Sequence, residues 1–452
     1  MLVPDEAVDT AAPIPGPAAA PAAPAPPADA GGRSEVAGGE ADRAAVPPDD
    51  AAARAAAGRG EFLAGDGIRG VGMVCIIVAH LAGGTLVIDG VYDRGFRAGY
   101  GAVAGVILSG LQLALPVFFV LSAYLISRPY IHAYVLNRRT PSLRRYLRHR
   151  VLRIIPVFWL LGAVMFAVYG TYHSSAAQVA AVFGFLQIYT PSRAANFLGQ
   201  AWTIDVEVAF YLIVPLTGWV IGAATRRFGA WRGGRELSQR GRVALVVGLL
   251  AAATLASAYI RATRLGTLWS ESPPATFYFF APGIALAALE LELSGALARG
   301  RVPHLSRVLG VGAVALGVIL AIGTSDQSNV LLDARDIATT LGVALATGLA
   351  FAALLARQCA RGDSPRWVDN RVSRALGARS YPCYIIQSAT VFEAIKIVGR
   401  VGGGPWAELL ALTALGLPLT LAAGAIVHAA VERPVLAWGR GRSYRAVAAR
   451  QA

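Results

Sequence analysis

Lysine is almost missing from this chain. Lys396 is its only lysine, and acidic and basic residues together make up just 15% of 452 positions. That excludes an ordinary soluble globular surface, for which about a quarter of residues are charged. Cysteine is scarce as well: Cys75, Cys359 and Cys383 lie far apart, fit neither disulfide nor metal-ligand spacing, and read as small apolar fillers. No segment recurs. The arginine–histidine helix and the tryptophan–glutamate block described below have no counterpart after residue 260, unlike the duplicated halves usual in carriers. Residues 1–60 lack a basic stretch followed by an apolar core, so they do not read as a secretory signal peptide. Alanine and proline dominate there without apolar periodicity, which is the composition of a disordered cytoplasmic tail.

What remains is largely apolar, with 55% hydrophobic residues and a mean hydropathy of +0.53. Runs of about 18 residues or more mark spanning helices. They fall near 68–88, 101–126, 151–171, 203–223, 243–261, 276–293, 307–323, 337–356, 380–399 and 407–430. A shorter run, 176–189, suits a re-entrant or interfacial segment. The net charge of +14 is nearly all arginine, gathered at 138–150, 226–242, 299–307, 357–379 and after 433. Arginines clustered between apolar runs are the pattern of cytoplasmic loops, not of a nucleic-acid surface. The loop 326–336 is mildly acidic instead. Parity then predicts an all-α integral membrane protein of about ten transmembrane helices plus one short re-entrant or interfacial segment, with both termini cytoplasmic. Residues 61–440 form its membrane domain, and 441–452 a basic cytoplasmic tail.

Ionisable groups inside such helices are costly, by roughly 2.5–3.5 kcal/mol or more, and mark candidate sites. Arg69 and His80 share the first span, eleven positions apart, so they lie about 16 Å apart along one helix face. Arg69 falls at the inner interface and His80 past mid-membrane toward the outer side. Arg150 and Arg153 share a face at the inner end of the third span. Glu207 falls near the outer end of the fourth and requires a cation, an imidazole or water; Asp205, nearer the surface, is more easily solvated. Each residue also has a plainer reading. On that reading His80 is a helix-packing hydrogen-bonder, Arg150 and Arg153 are topology determinants that bind anionic lipid, Glu207 is a structural ion-pair partner, and Ser122 is a packing hydroxyl. His132, His149, His173, His304 and His428 lack an acidic neighbour at useful spacing and read as loop or interface residues. A cationic inner cluster with an imidazole further in suits a donor bearing phosphates on a long arm, such as a coenzyme A thioester, and general-base activation of a hydroxyl.

Six short blocks then occur in a familiar order. They are Asp66-Gly-Ile-Arg69 with His80, Phe118-Phe-Val-Leu-Ser122, Arg150-Val-Leu-Arg153 with Pro156, Trp202-Thr-Ile-Asp-Val-Glu207 with Phe210, Tyr211 and Pro215, Ser380-Tyr381 with Tyr384, and Glu432-Arg433-Pro434. Over residues 62–440 the chain resembles the acyltransferase-3 family of multi-pass membrane O-acyltransferases. The resemblance implies transfer of an acyl group, often acetyl, from acyl-CoA to a hydroxyl of a carbohydrate-containing acceptor, without a tightly bound cofactor or metal. It implies that His80 and Arg69 are essential. On this reading His80 and Glu207 are catalytic, and Arg69, Arg150 and Arg153 hold the donor. Trp202, Tyr211, Ser122, Ser380, Tyr381 and Gln387 line or support the acceptor side. The implied partners are acyl-CoA, a hydroxyl-bearing sugar or glycolipid and membrane lipid, in the cytoplasmic membrane. Gln387 stands where family members often have histidine, and a glutamine cannot shuttle a proton near neutral pH. Ala123 stands where glycine is usual. The rival readings are a transporter or flippase for an envelope precursor and a non-catalytic acyl-CoA sensor.

Overall fold

In a bilayer the backbone has no water to bond, so each apolar run closes its own hydrogen bonds as a helix. The computed structural model describes residues 62–439 apart from 91, 171–174, 191–197, 199, 232–236, 265–268, 270, 299–303, 327–336 and 400–402. The expected tails at 1–60 and 441–452, His173 and most of the acidic loop 326–336 lie outside the described residues.

The helices follow the apolar runs closely. The first four are α1 (Gly65–Ile88), α2 (Gly95–Tyr100), α3 (Ala102–Leu111) and α4 (Ala114–Val135). Then come α5 (Leu143–Met165), α6 (Ala176–Phe183), α7 (Ala201–Trp231), α8 (Gln239–Arg264) and the single turn α9 (Pro273–Thr276). The chain continues with α10 (Ala281–Ala298), α11 (Leu305–Thr324), α12 (Ile337–Arg361), α13 (Arg371–Ala378), α14 (Ser380–Val398) and α15 (Gly404–Val427). No strand occurs among the described residues.

Eight of these stretches are long and apolar enough to cross a membrane, counting α3 with α4 as one. A ninth is broken: Pro273–Phe279 and Ala281–Ser294 meet at 47° and together cover the run expected at 276–293. The tenth expected crossing, 380–399, is helical as α14, but its polar residues leave it outside that group. Among the described residues, eight helices, or nine with the broken pair, therefore meet the requirement of length and apolarity. The short run 176–189 folds as α6, capped by Ser175, and a 3-10 turn at Gln187–Tyr189.

α1 is the most enclosed of the spans, packed by α4, α13, α14 and α15. Water gives no hydrophobic drive between helices in a bilayer, so close approach and van der Waals contact must hold them together. Bare backbone supplies that at two positions. A Cβ on Gly67 would collide with the carbonyl of Val368, and one on Gly377 with the carbonyl of Asp66. The short helix α13 is thereby seated on the first turns of α1. Its own start is fixed by Asn370, whose side chain accepts from the N–H groups of Val372 (2.9 Å) and Ser373 (3.0 Å). Between α4, α7 and α10 the core is aromatic. Phe119 stacks on Phe279 at 5.0 Å and Phe210 on Phe280 at 4.1 Å. Such a pair is worth about 0.5–1.5 kcal/mol beyond its buried area.

Candidate active site

Five helices close around a cavity of about 260 Å³. Arg69 enters it from α1, Ser122 from α4, Arg150 and Arg153 from α5, Glu207 and Tyr211 from α7, and Ser380, Tyr381 and Tyr384 from α14. Residues more than 300 positions apart in the chain thus share one chamber, and eight of the eleven positions singled out from sequence line it. The i, i+3 spacing that put Arg150 and Arg153 on one face delivers both guanidinium groups to the same wall.

Glu207 is the hub of the polar network. Its Oε1 accepts from Ser122 Oγ at 2.9 Å and from the Tyr211 hydroxyl at 2.5 Å. The Arg150 guanidinium lies 5.4 Å from the Tyr211 ring centroid and 5.8 Å from that of Tyr146, within cation–π range. Its Nε is buried without a hydrogen-bond partner, so Arg150 retains donor capacity toward the chamber wall. Arg69 is held by Asp66 at 3.0 Å. Other hydroxyls are committed to the frame: Tyr381 donates to the Ile154 carbonyl at 2.9 Å and Ser380 to that of Gly377 at 2.8 Å. Tyr384 and Thr203 bond each other at 2.8 Å. Ser380 and Tyr381 therefore line the cavity while their polar atoms hold helices together.

His80 is not among the walls of this chamber. Along α1, between Asp66 and Val87, it is the one exposed residue, although the helix around it is the most buried span. Its Nδ1 lies 3.1 Å from Oε1 of Gln387 on α14. Gln387 is 1% exposed and three residues beyond Tyr384, which does line the chamber. With the amide oxygen as acceptor, Nδ1 carries the ring proton and Nε2 keeps its lone pair. The amide nitrogen of Gln387 is buried without a partner. Nearby, Gln200 donates to the carbonyls of Tyr384 (3.3 Å) and Ile385 (2.5 Å), which fixes this stretch of α14.

Several expectations are corrected by this arrangement. Glu207, read with His80 as catalytic, lies nearly two turns inside α7 and lines the arginine chamber, whose walls do not include His80. Trp202 packs against the core and does not line the chamber. Asp205 is not solvated but 1% exposed, since the turn at Gln187–Tyr189 folds over it and the Ile188 N–H donates to it at 3.3 Å. Two histidines set aside as partnerless have carboxylates: His428 meets Glu432 at 2.7 Å, one helical turn away, and His132 meets Glu290 at 3.4 Å. The first pair was legible as i, i+4 spacing. The second crosses between helices, as does the bidentate Arg128–Glu290 pair, with both contacts at 2.7 Å, which sequence reading missed. Its only signal was one charge of each sign near the ends of two apolar runs. Among the described residues no three His, Cys, Asp or Glu side chains come together as a metal site.

The chain matches no solved structure. It is 25% identical over 328 residues to the exopolysaccharide production protein ExoZ of Rhizobium meliloti (strain 1021), covering 72% of this chain and 90% of that protein. A family model described as an acyltransferase domain matches residues 63–427, which takes in every helix of the chamber. The chain belongs to the acyltransferase-3 family, and it is a multi-pass membrane acyltransferase that transfers groups other than amino-acyl groups.

Proposed function

We propose that this enzyme moves a short acyl group from acyl-CoA to a hydroxyl of a carbohydrate-containing acceptor of the cell envelope, in the cytoplasmic membrane. The observation that carries the reading is His80, an accessible imidazole in the middle of an otherwise enclosed helix. Its Nδ1 proton is held by Gln387, so Nε2 accepts the proton of the acceptor hydroxyl as that oxygen attacks the thioester carbonyl. A C–O bond forms and the carbonyl π pair moves to oxygen. Collapse then breaks the C–S bond, and the departing thiolate takes the proton from Nε2. Arg69, Arg150 and Arg153 hold the donor's phosphates, for which guanidinium is well matched. Glu207 keeps Ser122 and Tyr211 fixed around the passage.

The carbohydrate acceptor is supported by the exopolysaccharide role named for the relative in Rhizobium meliloti. The topology follows from charge. If the broken pair and α14 each cross, both termini share the arginine-rich, cytoplasmic side. α14 is suited to a crossing despite its polarity, because Glu393 is paired with Lys396 at 2.9 Å and accepts from Tyr169 at 2.6 Å.

The test is transfer from labelled acetyl-CoA to lipid-linked saccharide in proteoliposomes. His80→Ala lowers kcat by about 10²- to 10⁴-fold while membrane insertion and thermal stability hold. Full turnover in that variant removes His80 from the chemistry.

A further inference from the structure

Below the chamber lies a second, wider cavity of about 700 Å³. Its walls include Asp66, Arg69, Arg128, His132, Asp369 and Arg374. Arg69 and Leu125 line both cavities, so the two adjoin at a waist formed by these side chains. Measured on α4, the walls run from Leu115 to His132, about 25 Å at the helical rise. A compact ligand does not need such a length, whereas an elongated one does.

The two volumes divide the work. Sites for small molecules and cofactors usually occupy about 300–1,000 Å³. The chamber, at about 260 Å³, is too small for a nucleotide, while the vestibule at about 700 Å³ admits one.

The arginines of the vestibule differ in how firmly they are held. Arg128 is gripped by both oxygens of Glu290 at 2.7 Å, with side-chain exposures of 21% and 13%. Arg374 meets Asp369 through one contact at 3.4 Å and is 56% exposed. Arg69, 17% exposed, meets Asp66, 53% exposed, through one contact at 3.0 Å. A single contact with at least one exposed partner holds more weakly than a bidentate pair. The first pair is framework, and the other two are exchangeable cations facing a nucleotide-sized space.

Resting on the acyl-CoA reading above, we propose that the vestibule binds the nucleotide end of the donor. Arg374 leaves Asp369 to take the 3′-phosphate of the adenosine, and Arg69 leaves Asp66 to take the diphosphate at the waist. Arg150 and Arg153 face the diphosphate from the chamber, into which the pantetheine arm continues.

The test compares acetyl-CoA, acetyl-3′-dephospho-CoA and acetyl-pantetheine as donors for the purified full-length protein. In the wild type, kcat/KM for acetyl-CoA exceeds that for the dephospho donor by about 10- to 100-fold, as expected for a charge-assisted contact. Arg374→Ala brings that ratio near one. Asp369→Asn, which removes the competing carboxylate and keeps the cation, lowers the KM for acetyl-CoA. Equal use of the two nucleotide donors by the wild type overturns the proposal, as does an Arg374→Ala loss of the same size on all three donors. A wild type that transfers acyl groups but takes none from any CoA thioester sinks the donor reading itself, and the vestibule assignment with it.

Discussion

Two cavities in this protein differ in almost every respect, and the larger is the less informative. The chamber holds about 260 Å³ among Arg69, Arg150, Arg153, Glu207 and three tyrosines. A groove between α8, α10, α11 and α12 holds about 950 Å³, walled by residues such as Val247, Leu250, Leu286 and Leu345, with Arg240 and Glu292 its only charged walls among the described residues. Room alone would nominate the groove. In a bilayer, however, an apolar wall offers only van der Waals contact, for which lipid chains serve as well as any ligand. Charged groups kept within a membrane domain are the costly feature, and they sit in the chamber and its vestibule.

That contrast can be broken most forcefully at the Arg128–Glu290 pair. Arg128→Ala leaves the part-buried Glu290 carboxylate with His132 as its remaining partner and should destabilise the folded protein by about 1.5–3 kcal/mol, read as a lowered unfolding midpoint in detergent. An Arg128→Met, Glu290→Leu double variant should recover most of that loss. If the single variant is as stable as the parent, the pair is not framework. A step smaller, Arg153→Ala should raise the KM for acyl-CoA by about 10-fold or more, with a lesser change for the acceptor. An unchanged donor KM would detach this wall from donor binding. Gln387→Ala frees the His80 ring to adopt either tautomer and should lower kcat by several-fold, with KM little altered, whereas Gln387→Glu restores an acceptor and with it most of the rate. Equal rates in all three proteins would mean that the 3.1 Å contact does not orient the base. Smallest of all, Leu345→Phe in the groove should leave transfer within about twofold, as expected for an exposed position remote from the site. A large loss there would move attention to the groove.

The sequence told much about what lies along each helix and little about what lies between helices. Apolar length located every long helix, and the i, i+3 spacing of Arg150 and Arg153 correctly predicted a shared face. The motif order brought Ser122, Glu207, Tyr211, Ser380 and Tyr381 to one chamber because each block marks the same side of its helix. The run at 380–399 is helical as α14, although Glu393 and Lys396, paired with each other, lower its apolar sum. Distance from the helix end misjudged Asp205, since a turn 17 residues earlier in the chain folds back to bury it. The partners of His132 and Arg128 lie more than 150 positions away, and no local period encodes such a meeting. The position of His80 outside the chamber walls was equally illegible, because helical spacing fixes angle and rise but not where an internal space ends.

The seating of α13 on α1 has a consequence for how such an enzyme can diversify. Where Gly67 and Gly377 meet carbonyl groups with no side chain between them, the spacing of Arg69 from Arg374 is set by main chain alone. A bore fixed in that way cannot be widened or narrowed by swapping residues, because even one added methyl would wedge the two helices apart. On the donor reading proposed above, a change of acceptor is accommodated more readily away from this junction, where side chains rather than main chain set the available space.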